Sequence, residues 1–199
     1  MTKSALRQQF LSRRRALTAD DVAHRSASIT QQVFQLMQPI DRLSTPGAGV
    51  IHIFLPIVRQ NEVNTWAIIH RFWREYPMVR IATSITNLAS SQLTHYLLTP
   101  ETKLVENRWG IPEPQPDEHF RVDNSQIDTV LIPLLVFDQR GHRVGYGKGY
   151  YDRFLANDVP HSRKIGLSLF DPVDKIDDVE HTDVRLESCI TPDRLYIFN

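Results

Sequence analysis

One stretch constrains this chain more than any other: Ile132 to Leu155, reading IPLLVFDQRGHRVGYGKGYYDRFL. The apolar residues Val130-Leu131-Ile132 lead into it with the β-branched composition of a buried strand. Asp138-Gln139-Arg140-Gly141 predicts a turn, because glycine tolerates positive φ and aspartate hydrogen-bonds its own backbone. Gly145, Gly147 and Gly149 follow at alternate positions, with Lys148 between the last two. No helix breaker intervenes between Tyr150 and Pro160, which predicts a helix from Tyr150 to about Asn157.

A strand, a glycine loop and a helix in this order make an anion site. Glycines remove the Cβ atoms that would keep a ligand off the backbone, and the loop N–H groups and the positive end of the helix then face negative charge. Lys148 and Arg143 add full charges, and Asp152 offers a carboxylate suited to hydrated Mg²⁺. The spacing is not that of a Walker A loop, which needs a four-residue gap and a Ser or Thr after the Lys. It is not a dinucleotide fingerprint either, since the third glycine is missing from its offset. By pattern alone the stretch also reads as an ordinary glycine-rich turn entering a helix.

Composition narrows the setting. A chain of 199 residues is expected to form one domain, spanning 1–199. Basic and acidic residues balance at 23 each, which argues against a nucleic-acid-binding surface. The one cysteine, Cys189, excludes an intrachain disulfide and fits a reducing compartment. The eight histidines show no zinc-site spacing. No apolar run reaches the length of a membrane span, and the opening residues carry no signal-like apolar core. The expectation is a soluble, cytoplasmic monomer without nucleic-acid or membrane partners.

Along the chain, Thr2 to Leu17 predicts a helix with Leu6, Phe10 and Leu17 on one stripe and Lys3, Arg7 and Arg14 on an adjoining one. That basic stripe is either a solvated edge or a set of cations turned toward a polyanion. Thr18 and Asp21 form a capping-box variant opening a second helix, Ala19 to Met37, with Val22, Ile29, Val33 and Leu36 inward and Pro39 as its stop. A loop over 41–49 leads to a strand, Val50 to Leu55. After the loop 57–64, a helix from Thr65 to about Tyr76, capped by Asn64, and a strand Val79 to Ala82 complete a parallel α/β unit. A strand is expected around Leu93 to Leu98. The prolines at 112 and 114 predict an extended connector over 106–114, and 116–125 reads as a loop. Strands are expected again at Arg163 to Leu169 and Leu195 to Phe198, with an acidic, broken segment over 171–187 between them. The fold class that results is α/β: a single domain with a mostly parallel central sheet flanked by helices and an N-terminal helical pair. Functional residues would sit at the carboxyl ends of its strands.

The segment FDQRGHRVGYGKGYYDRFL closely resembles the signature of the 5-formyltetrahydrofolate cyclo-ligase family, an aromatic-Asp, a turn Gly, then Gly-Arg-Gly-x-Gly-Tyr-Tyr-Asp. This chain departs from it at Tyr146, where the family usually has Arg. The resemblance runs from the N-terminal basic helix to EHTD near residue 183. It implies that Lys3, Arg7 and Arg14 bind ATP, with Arg13 and Arg15 as alternative registers for the last. The loop Gly145, Tyr146, Gly147, Lys148, Gly149, Tyr150 and Tyr151 would share that role. Glu62, in NEVNT, would be the folate carboxylate, with Leu55 as a neighbouring wall, Trp109 as a stacking wall, and Lys148 and Tyr151 beside them. Asp152 and Asp183 would hold Mg²⁺, and Lys148 and Arg143 would be the catalytic cations. The implied reaction is the ATP- and Mg²⁺-dependent closure of 5-formyltetrahydrofolate to 5,10-methenyltetrahydrofolate. Two alternatives stand beside it: a non-catalytic folate-binding or regulatory protein, and another ATP-dependent small-molecule ligase or kinase on the same fold.

Overall fold

The structure, a computed structural model, describes residues 1–38, 49–87 and 92–198. The stop at Pro39 and most of the loop 41–49 lie outside the described residues. Helix α1 (Lys3–Arg15) begins where the Thr2 side chain accepts the Ala5 N–H at 3.3 Å, and α2 (Ala19–Leu36) begins at the expected Thr18–Asp21 capping box. Leu6 and Phe10 of α1 and Ile29 and Val33 of α2 are fully buried, while Leu17, Val22 and Leu36 are partly so. The helical pair is therefore docked on the core through its apolar stripes.

Strand β1 (Val50–Ile53), β2 (Arg80–Asn87), β3 (Gln92–Leu97), β6 (Ile127–Pro133), β9 (Arg163–Leu167), β10 (Ser188–Ile190) and β11 (Leu195–Ile197) form one sheet. Its order is β11-β10-β9-β6-β1-β2-β3. The five central strands are parallel, and each edge strand is antiparallel to its neighbour. Between β1 and β2 lies α3 (Trp66–Glu75), which starts one residue later than the sequence implies. Asn64 Oδ1 accepts the Trp66 N–H at 3.2 Å, so the expected side chain does serve the helix start. The chain leaves β1 toward β2 on one side and later enters β6 on the other. Such a reversal opens a crevice at the carboxyl ends of the adjoining strands.

The connector expected over 106–114 is instead a hairpin. Strand β4 (Leu104–Glu106) pairs antiparallel with β5 (Pro112–Pro114). Asn107 causes the reversal, since its Oδ1 accepts the N–H of both Trp109 and Ile111, at 2.9 and 3.1 Å. Proline is compatible with a two-stranded ribbon because its missing N–H can face the unpaired edge. Strand β2 is also longer than the sequence suggests, because its outer half pairs with β3. Strand β10 is only three residues, too short to give a periodic signal.

A second, two-stranded ribbon, β7 (Val136–Phe137) with β8 (Arg143–Val144), carries the chain from β6 to the glycine loop. Its turn is held as expected. Buried Asp138 accepts the N–H groups of Arg140 and His142 at 2.9 and 3.0 Å, and Gly141 adopts φ +85°. Asp138 also accepts the Ile176 N–H at 3.1 Å, tying the acidic 171–187 segment to the ribbon. The helix after the glycine loop is α4 (Tyr150–Arg153) followed by a π-turn (Phe154–Asp158), so only its first turn is α-helical.

Gly166 tests how tightly the sheet packs. A Cβ there would lie 2.7 Å from Leu134, 2.8 Å from Leu186 and 3.0 Å from Cys189. Gly166→Ala should therefore destabilise the fold by about 1–3 kcal/mol through overpacking. Urea unfolding of the two proteins measures this, and equal midpoints would mean that the three neighbours yield freely.

Candidate active site

The carboxyl ends of β1, β2 and β6 open on a cavity of about 1150 Å³. Phe54 and Leu55 line it just beyond β1, Thr83 and Ser84 come from β2, and Pro133 ends β6. The glycine loop, Trp109 and the 180–184 segment close around them. This volume exceeds the usual range for a site that takes one small ligand.

Glycine is required at two loop positions. Gly147 and Gly149 adopt φ +84° and +68°, conformations that side-chain-bearing residues rarely take. A Cβ on Gly147 would also meet the Arg7 guanidinium at 3.0 Å. Arg7 reaches the loop from α1, and its Nε donates to the Gly145 carbonyl at 2.9 Å. Lys148 is exposed on the cavity wall, and its ammonium forms no ion pair among the described residues.

Lys3 and Arg143, also expected here, have carboxylate partners. Lys3 Nζ lies 2.8 Å from Asp183 and 3.2 Å from Glu180. Burial opposes its charge, yet the hydrogen bonds and charges of those two carboxylates carry its pKa above the ordinary lysine value. Arg143 is buried and donates to Asp152 at 2.7 Å and to the Val184 carbonyl. Burial pulls its pKa below the usual guanidinium value, with Asp152 and Asp183 opposing that shift. Asp152 also accepts the Val184 N–H at 3.1 Å. The two aspartates expected to hold metal are thus brought to one wall of the cavity, each beside a cation.

Arg14 does not line the main cavity. It is 2% exposed and lies behind Glu62, donating to the carbonyls of Gln60 and Asn61 at 2.9 and 3.2 Å. Its Nη2 is 3.1 Å from the Tyr146 hydroxyl and 3.5 Å from Glu62 Oε1. The basic stripe of α1 therefore divides: Lys3 and Arg7 reach the cavity, whereas Arg14 organises the loop that carries Glu62.

Glu62 lines the cavity while being only 6% exposed. Its Oε2 accepts the Ile57 N–H at 2.7 Å, and its Oε1 accepts the Tyr146 hydroxyl at 2.6 Å. Tyr146 and Tyr151 both have raised pKa values, first through burial and then through the nearby Glu62 charge. Trp109 lines the same cavity, with the Arg108 guanidinium 4.7 Å from its ring centroid. Arg59, which the sequence did not single out, donates to the Trp109 carbonyl and clasps the β4–β5 hairpin to the Glu62 loop. Nothing local marks such a contact, because the two residues are fifty positions apart.

A mostly parallel α/β sheet with a large cavity over its carboxyl ends, and a glycine loop in its wall, has the architecture of an enzyme acting on small molecules. Residues 1–192 match the model of the 5-formyltetrahydrofolate cyclo-ligase family. The chain belongs to that family, whose members are ligase enzymes. It is 30% identical over 190 residues to the 5-formyltetrahydrofolate cyclo-ligase of Escherichia coli strain K12, covering 92% of this chain and 97% of that one. Among solved structures it is similar to a 5,10-methenyltetrahydrofolate synthetase from Mycoplasma pneumoniae, with a TM-score of 0.69 at 25% identity. That match covers 96% of this chain and 99% of the other. The Aquifex aeolicus 5,10-methenyltetrahydrofolate synthetase shares the fold, with a TM-score of 0.72 at 21% identity, over 100% of this chain and 94% of the other. Among the described residues no helix is long and apolar enough to cross a membrane.

Proposed function

We propose that residues 1–199 form one domain that closes 5-formyltetrahydrofolate to 5,10-methenyltetrahydrofolate at the expense of ATP, acting in the cytoplasm as a monomer. The observation that carries this reading is the lining of one large cavity. It joins Lys148, which has no anionic partner among the described residues, and Arg7 to a doubly anchored Glu62 and an indole wall.

The formyl oxygen of the folate attacks the γ-phosphorus of ATP, and ADP departs with the bond between the β and γ groups. The bridge nitrogen of the folate then attacks the formyl carbon of the resulting imidate phosphate and releases its proton to solvent or to the departing phosphate. The carbon–oxygen bond breaks, and phosphate leaves with its electron pair. No protein nucleophile is needed, so the chain contributes position and charge. Lys148, Arg7 and the amides of the Gly145–Gly149 loop bind the phosphates. Arg143 and Lys3 hold Asp152 and Asp183 in place. Glu62 accepts hydrogen bonds from the pterin, while Trp109, Leu55 and Tyr151 wall its flat ring.

Asp152 and Asp183 are the residues suited to Mg²⁺. Among the described residues no three Asp, Glu, His or Cys side chains form a cage, which accords with a metal bound by one or two carboxylates plus the phosphates. When bound, Mg²⁺ would neutralise phosphate charge.

An assay with 5-formyltetrahydrofolate, ATP and Mg²⁺ tests the reading by the absorbance of the methenyl product. The expected result is colour that depends on both ATP and Mg²⁺. ATP binding without folate conversion would instead mark another ligase or kinase, and folate binding without turnover a non-catalytic protein.

A further inference from the structure

Tyr146 lies in the glycine loop, between Gly145 and Gly147. Its place in the glycine loop suggests a role toward phosphate, but its hydroxyl is turned the other way. It donates to Glu62 Oε1 at 2.6 Å and accepts from Arg14 Nη2 at 3.1 Å. The residue is 36% exposed and lines the cavity. Arg14 approaches the same carboxylate oxygen at 3.5 Å, so positive charge is already supplied from α1. A guanidinium in place of the phenol has only donors and would meet Arg14 as a like charge, whereas a hydroxyl donates and accepts at once. With the Ile57 N–H on the second oxygen, each Glu62 oxygen is held by one donor. A carboxylate offers about four acceptor positions, so both oxygens keep capacity for a ligand.

We propose that Tyr146 is a positioning residue for Glu62: its hydroxyl, backed by Arg14, fixes the carboxylate in the orientation that receives the folate ring. This rests on the folate reading above. The Tyr146 side chain thereby serves the folate side of the cavity, acting through Glu62, and its hydroxyl is not turned toward the phosphates.

Steady-state kinetics of the full chain and of Tyr146→Phe test this, with thermal unfolding as the check that the near-isosteric variant is folded. The KM for 5-formyltetrahydrofolate should rise about tenfold, the size of a lost hydrogen bond to a charged group. The KM for ATP and kcat should stay within about twofold, the signature of lost uniform binding of one substrate. Tyr146→Arg, which supplies donors but no acceptor, should raise the folate KM as well. In a Glu62→Gln background, Tyr146→Phe should add less than about twofold to the folate KM, because residues acting through one group are not additive. An unchanged folate KM in either Tyr146 variant, or a rise in the ATP KM instead, overturns the proposal alone. A wild-type chain that neither binds nor converts 5-formyltetrahydrofolate overturns the folate reading and the proposal with it.

Discussion

Lys148→Ala should lower kcat by about a hundredfold or more while leaving the protein folded, the scale on which loss of one preorganised charge at a reacting group is felt. Arg143 and Lys3 are engaged with Asp152 and Asp183, and Arg14 with Glu62. Lys148 has no such partner among the described residues and lines the cavity from a loop whose backbone Gly147 and Gly149 shape. Its charge is therefore available to a phosphate without first breaking an ion pair. Because the side chain is exposed, its removal should shift stability by less than about 0.5 kcal/mol. Methenyl formation under saturating ATP and folate gives kcat, and thermal unfolding gives the fold. Turnover close to wild type in the variant would remove Lys148 from the chemistry.

The second large effect concerns acid. His52 on β1 and His95 on β3 are fully buried, their ring centroids 5.0 Å apart, and no ring nitrogen of either has a protein hydrogen-bond partner among the described residues. Phe154 stacks on His95 at 4.3 Å and packs on His52 at 5.3 Å. Burial, and for His52 also its neighbour His95, disfavours the imidazolium, taking His52 well below 6.5 and His95 to about 4. Above the ordinary histidine range both states of the chain are neutral here, and the pair adds no pH dependence. As pH falls from 6.5 toward 4 the unfolded chain takes up protons that the folded one refuses, so stability is lost across that window. His95 alone accounts for about 2 kcal/mol by pH 5. Urea unfolding at steps between pH 7 and 5 measures the slope, and His95→Leu should flatten it. Parallel slopes in the two proteins would mean that other groups set the acid limit.

Much of the site was legible because its residues sit in one continuous stretch. Asp138, Gly141, Gly147 and Gly149 each answer to a backbone requirement that follows from residue type, and the turn and loop are where those residues imply. The apolar stripes of α1 and α2 were legible for the same reason, since helical periodicity is a local property. The helix after Gly149 was legible only in extent. Its change from α to π at Phe154 leaves no mark in composition, and Phe154 is fully buried against the two histidines. The β4–β5 ribbon was misread because alternating prolines fit an isolated extended chain equally well, and only the pairing distinguishes the two.

By itself, then, the sequence determined the α/β class, the glycine loop with its lysine, and the family, since all three are carried by residue types at short spacings. Tertiary structure alone decided how the charges are shared. It set Arg14 behind Glu62 rather than in the cavity, turned the Tyr146 hydroxyl onto that carboxylate across 84 positions, and closed Lys3 on Asp183 across 180. Charge sharing of this kind depends on distances of about 3 Å between residues remote in sequence, where Coulomb energy and hydrogen-bond geometry change steeply. No periodicity encodes such distances.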